Sequence, residues 1–158
     1  MVNRFLINQK GQSSIEFLIL IVILLVFVQT IIQPSLQDSL LAARDTQRVG
    51  QITLAAQKLT GNIEQIYSIS GDSKTTTYLF LPENSKIVCN AVTKTLTSQV
   101  QLEHPETLSA CPNQVCSKTY SLPSNINLTC TNLESNLSTQ IQLVIEKVQG
   151  VVHVTQTD

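Results

Sequence analysis

From Phe17 to Val28 the chain runs twelve residues, Phe-Leu-Ile-Leu-Ile-Val-Ile-Leu-Leu-Val-Phe-Val, without one polar side chain. A helix apolar on every side has no water-facing stripe, so it must lie in lipid or be enclosed by other helices. Extended to Ile15 and Ile32 the segment has 18 residues and a single acid, Glu16. As a helix it is about 27 Å long, against about 30 Å of hydrocarbon in a bilayer. A membrane-spanning helix is therefore expected. Arg4 and Lys10 precede it, residues 1–11 contain no acid, and the positive-inside rule places them in the cytoplasm and the remainder outside. No A-x-A-like cleavage pattern follows the run; Gln29-Thr30-Ile31-Ile32-Gln33-Pro34 stands there instead, unlike a secretory signal peptide.

Glu16 is the chemical anomaly, because a carboxylate inside a membrane costs a few kcal/mol unless it is solvated at the interface or paired. Cleavage after Gly11 would create an α-amine on Gln12, four residues earlier, with a reference pKa of about 7.7–8.0 and so mostly charged at neutral pH. In a stack of identical helices the amine of one subunit can meet the carboxylate of its neighbour, and low dielectric makes a slip of register expensive. The stretch Lys10-Gly11-Gln12-Ser13-Ser14-Ile15-Glu16-Phe17 resembles the class III, type IV prepilin-like signal of archaeal pilins. It is similar to the Q-x-S-x-E-x-x-x-L form at Gln12, Ser14, Glu16 and Leu20. Gln in place of Phe after the glycine separates it from bacterial type IV pilins, and it lacks the Gly/Ala-rich start of archaellins. The resemblance covers about residues 10–32. It implies cutting of the Gly11–Gln12 bond by a membrane-embedded aspartyl prepilin peptidase, and self-assembly into a filament driven by an assembly ATPase and a membrane platform protein. It also implies adhesion as the service performed.

Pro34 lacks the N–H that an interior helical residue donates, so a kink is expected there. Beyond it Leu36, Leu40 and Ala43, and after a phase slip Val49, Ile52, Ala56, Leu59, Ile63 and Ile66, recur every three or four residues as one face of an amphipathic helix. Such a stripe reads as core packing rather than a cofactor site. Gly71-Asp72-Ser73 supplies the stop, which predicts one discontinuous helix over about 13–70. From Thr75 the apolar period becomes two. The segments 75–81, 86–92, 94–102, 117–122, 125–130, 139–147 and 151–156 read as five to seven short strands separated by Pro82, Pro105, Pro112, Pro123 and Gly150. The strongest hairpin signal joins Thr139–Lys147 to Val151 through Gln149-Gly150. The fold expected is α+β, a long kinked N-terminal helix followed by a small antiparallel sheet with disulfides. Its divisions are a cleaved leader (1–11), an apolar assembly helix (12–33), an amphipathic helix (34–70) and an extracellular sheet domain (71–158).

All four cysteines, Cys89, Cys111, Cys116 and Cys130, fall in that outer part, where oxidising surroundings predict two disulfides. Three pairings are open. Cys111–Cys116 closing a small loop with Cys89–Cys130 tying two strands is the favoured one, although spacing does not decide it. A zinc site has no C-x-x-C and would need His104 or His153. Asn127-Leu-Thr129 and Asn136-Leu-Ser138 are sequons on the exported side, candidates for N-glycosylation.

Charged residues are 13% of the chain and the net charge is −1, which fits neither a basic nucleic-acid binder nor an acidic disordered tail. There is no glycine-rich phosphate loop, G-x-S-x-G, H-E-x-x-H or paired-carboxylate motif, and Asp72, Glu83, Glu103, Glu106 and Glu134 are scattered over loops. No catalysis, cofactor or metal is expected. The rival reading is an uncleaved single-pass membrane protein whose sheet domain binds a ligand or polysaccharide. A minor pilin or pseudopilin would share every feature named.

Overall fold

The computed structural model describes residues 9–103, 111 and 114–157, with side chains from Ile15 onward. Helix α1 (Gln9–Phe27) passes through a π turn (Val28–Ile32) into α2 (Gln33–Ser68). Eight strands follow: β1 (Ser73–Leu81), β2 (Ser85–Asn90), β3 (Thr95–Gln101), β4 (Val115–Ser121), β5 (Asn127–Cys130), β6 (Leu133–Ser135), β7 (Thr139–Val148) and β8 (Val151–Thr157). The chain divides into two compact units, one up to Leu40 and one from Leu41 to Asp158.

In the first unit every described side chain from Ile15 to Leu40 is exposed. The π turn sits immediately before Pro34, where the Thr30 carbonyl has lost its ordinary partner four residues on. The Gln33 N–H donates to the Val28 carbonyl, a five-residue step, and the Thr30 hydroxyl donates to the Val26 carbonyl at 2.7 Å. Widening by one residue is the usual way a helix absorbs such a disruption.

The second unit is built on the remainder of α2. Ile52, Ala55, Ala56, Leu59, Ile63 and Ile66 form its buried stripe, and they join inward-facing residues of both sheets in one continuous apolar cluster. Leu36, Leu40 and Ala43, expected on the same amphipathic face, are exposed instead. The helix ends at Ser68, with Gly71 in the left-handed region at φ +91°, a conformation that costs glycine little. Lys147 of β7 donates to the carbonyls of Tyr67 and Ile69 at 2.9 and 2.7 Å, satisfying acceptors that a helix C-terminus leaves open and placing a cation at the negative end of its dipole.

Two four-stranded sheets replace the single sheet expected. Their orders are β1-β7-β8-β5 and β4-β3-β2-β6. Burial alternates along each strand, as in β1, where Thr77, Leu79 and Leu81 point inward and Tyr78 and Phe80 outward. Pairing is antiparallel except between β5 and β8, which run parallel with Leu128 opposite Val152. β6 was not expected as a strand. Its three residues are too few to establish a period, and it is defined by pairing with β2, Ile87 opposite Leu133. The β7–β8 hairpin forms at Gln149-Gly150, with φ +51° and +80°, the doubly left-handed turn that matches strand twist. Asn90 shapes the β2–β3 turn by accepting the N–H groups of Val92 and Thr93, each at 3.0 Å.

Cys89 is bonded to Cys130, and Cys111 to Cys116. The first bridge joins β2 of one sheet to β5 of the other. The second lies at the entry to β4, and no cysteine is free. His153 sits in β8 opposite Glu146 and Thr129. His104, Pro105, Glu106 and Pro112 lie outside the described residues.

Candidate functional site

The feature of the first unit that demands an environment is the apolar helix. Phe17 and Leu20 are each 65% exposed and Leu24 58%, and the helix is long and apolar enough to cross a membrane. Moving the twelve apolar residues 17–28 into a bilayer is favourable by about 4–7 kcal/mol on an insertion scale, while one carboxylate at mid-depth opposes by about 3 kcal/mol and less near the end. Apolar transfer therefore wins with Glu16 in place. Packing against other apolar helices satisfies the same surface.

Lys10, Gly11, Gln12 and Ser14 have helical backbone within α1; their side chains are outside the described set. Glu16 and Leu20 are exposed one turn apart. Helical spacing of four aligns Gln12, Glu16 and Leu20 along one face, so a cleavage-derived amine on Gln12 would stand one turn from the carboxylate. Glu16 has no ion-pair partner among the described residues.

In the second unit the charged side chains gather at a place the sequence did not reveal. Arg48 Nη2 lies 2.8 Å from Glu103 and 3.3 Å from Glu83, and Nη1 lies 3.9 Å from Asp45. The Glu103 N–H also donates to Asp45 Oδ1 at 3.3 Å. Asp45 is 1% exposed, so its charge is held inside the fold by the guanidinium beside it. One arginine thus fastens α2 to the β1–β2 turn and to the chain leaving β3. This is a structural clasp; among the described residues no group of three His, Cys, Asp or Glu side chains is arranged to hold a metal.

Two grooves open on the same unit. One is lined by Leu54, Ala55 and Lys58 of α2 with Tyr78 and Phe80 of β1, and Lys58 donates to the Tyr78 carbonyl at 2.9 Å. The other, about 290 Å³, runs over the second sheet between Asn84 and Asn136. Asn127, the other sequon asparagine, is exposed at the start of β5. The signal that could have found the second groove is the alternation of outward Lys86, Gln99 and Glu134 on strands whose pairing the sequence does not give.

Comparison with protein-family models, curated proteins and solved structures finds no match.

Proposed function

We propose that this chain is the structural subunit of an extracellular filament of the type IV pilus kind. It is held in the cytoplasmic membrane as a precursor, cut between Gly11 and Gln12 by a prepilin peptidase, and assembled with copies of itself through its apolar helix. The observation that carries the reading is an apolar helix exposed along its whole described length from Ile15, directly behind Lys10-Gly11-Gln12-Ser13-Ser14-Ile15-Glu16. Transfer of Phe17–Val28 from lipid to a bundle of like helices exchanges one apolar environment for another, while the partner gained by Glu16 improves. That asymmetry gives assembly a direction and a register. The π turn before Pro34 is where the rod bends to leave the bundle. The disulfide-bridged sheets form the outer surface, which serves adhesion. In this role the protein is not an enzyme, and its machinery partners are an assembly ATPase and a membrane platform protein.

The test is N-terminal peptide mass spectrometry on the protein from a sheared cell-surface fraction of its native cells. A start at Gln12, free or cyclised to pyroglutamate, is the expected result. Cyclisation would retain the filament but remove the amine that pairs with Glu16. A start at Met1 with the protein confined to the membrane pellet would overturn the filament reading in favour of an anchored, ligand-binding surface protein.

A further inference from the structure

The groove over the second sheet owes its chemistry to register. Lys86 stands opposite Gln99 on one neighbouring strand and Glu134 on the other, and Gln101 stands opposite Val115. With Asn84 and Asn136 at the ends, the lining offers amides, one ammonium and one carboxylate. Donors and acceptors are interleaved and the formal charge sums to zero. Such a surface suits a neutral polyhydroxylated ligand better than an anion or an apolar group. At about 290 Å³ it lies at the small end of the usual range for small-molecule sites, about 300–1,000 Å³.

Asn136 is both a lining residue of this groove and the acceptor of the sequon Asn136-Leu137-Ser138. It is exposed in the link from β6 to β7, and Leu137 beside it is 72% exposed. We propose that Asn136 carries an N-linked glycan whose first sugars lie in this groove. In the attachment step the Asn136 amide nitrogen displaces the phosphate leaving group of an activated sugar donor at its anomeric carbon. One N–C bond forms, one C–O bond breaks, a proton is released, and nothing is oxidised. In the folded chain the Ser138 hydroxyl accepts the Glu83 N–H at 3.2 Å, so transfer precedes closure of the β6–β7 link. Tethering then places the sugar at a millimolar-scale effective concentration over the groove, where contacts too weak to hold a free saccharide suffice. Asn127, although exposed, lines neither of the two grooves described.

The inference rests on the proposed function only for export of this domain, and the experiment separates the two. Glycopeptide mass spectrometry on the protein from its native cells reads Asn136 directly. Thermal melts of the detergent-solubilised full chain compare wild type, Asn136→Gln, Gln99→Ala/Gln101→Ala and the combination. The expected result is a glycan on Asn136, with the two glutamine substitutions lowering Tm by about 4 °C in the glycosylated chain and by less than about 1 °C in the Asn136→Gln chain. An equal shift in both backgrounds overturns the seating of the sugar. An unmodified Asn136 in a chain that starts at Gln12 overturns this proposal and leaves the filament standing. A glycosylated Asn136 in a chain that starts at Met1 and stays in the membrane supports this proposal and overturns the filament.

Discussion

Replacement of Arg48 by methionine keeps much of the apolar stem and removes the charge, which isolates what the guanidinium does for the outer domain. Glu83 and Glu103 are 40% and 46% exposed, so their pairs are each worth about 0.2–1 kcal/mol after solvent screening. Asp45 is different. At 1% exposure it would keep the Glu103 N–H but lose its cation, and removing one partner of a fully buried pair costs about 3–5 kcal/mol. The 3.9 Å separation and the 16% exposure of Arg48 reduce that to about 2 kcal/mol, and the total to about 3 kcal/mol. For a domain of this size the corresponding fall in Tm is about 10 °C. Urea and thermal melts followed by circular dichroism on the detergent-solubilised chain read the loss, with Asp45→Asn and the double variant completing a cycle. The double variant should recover about half of the summed single losses. A loss under about 0.5 kcal/mol for Arg48→Met, or strict additivity with Asp45→Asn, would falsify the account of Arg48 as the counter-charge of Asp45.

The two disulfides should differ in weight, since Cys89–Cys130 spans 41 residues and Cys111–Cys116 spans 5. Loop-closure entropy assigns them about 4 and about 2 kcal/mol, and paired Cys→Ala variants in urea melts that cost the same, or in reverse order, contradict that ranking. Gly150→Ala should cost about 1–2 kcal/mol purely through backbone strain, because φ is +80° and no atom lies within 4 Å of an added Cβ. Recovery of full stability in the same melts would mean the turn has relaxed to another type. Glu16→Ala should leave export and cleavage intact but lower the amount of subunit in sheared filaments by about tenfold or more, the worth of a partly buried ion pair. Normal filament yield from that variant would remove the register argument.

What the sequence disclosed was local and periodic. Ile52, Ala56, Leu59, Ile63 and Ile66 repeat at helical spacing and are buried, and Gln149-Gly150 announced the hairpin that β7 and β8 form. Leu36 and Leu40 carry the same spacing yet are exposed, because periodicity marks a face that wants cover without saying what supplies it. Pairings between distant segments left no local trace. The parallel contact of β5 with β8 and the split into two sheets are tertiary choices, and β6 is a strand only by virtue of β2. The Arg48 clasp was hidden for the same reason, its partners Glu83 and Glu103 arriving from separate turns after β1 and β3. Neither acid stands at a spacing from Arg48 that a helix or a strand would bring together. Asn136 was legible as a sequon, but the groove beside it depends on side chains from three strands.

The order β1-β7-β8-β5 also sets a timetable. The last hairpin of the chain occupies the middle of its sheet, so Ser73 waits for Lys147 and Leu128 for Val152. Neither outer strand has a neighbour until residues 139–157 have been delivered, and closure over such sequence separations is slow. A chain threaded through a membrane from its N-terminal anchor outward cannot complete this sheet piecemeal. The domain stays open until translocation is nearly finished, which keeps the Asn136 link and the four thiols accessible during passage. Closure of the last hairpin is then the event that ends that window.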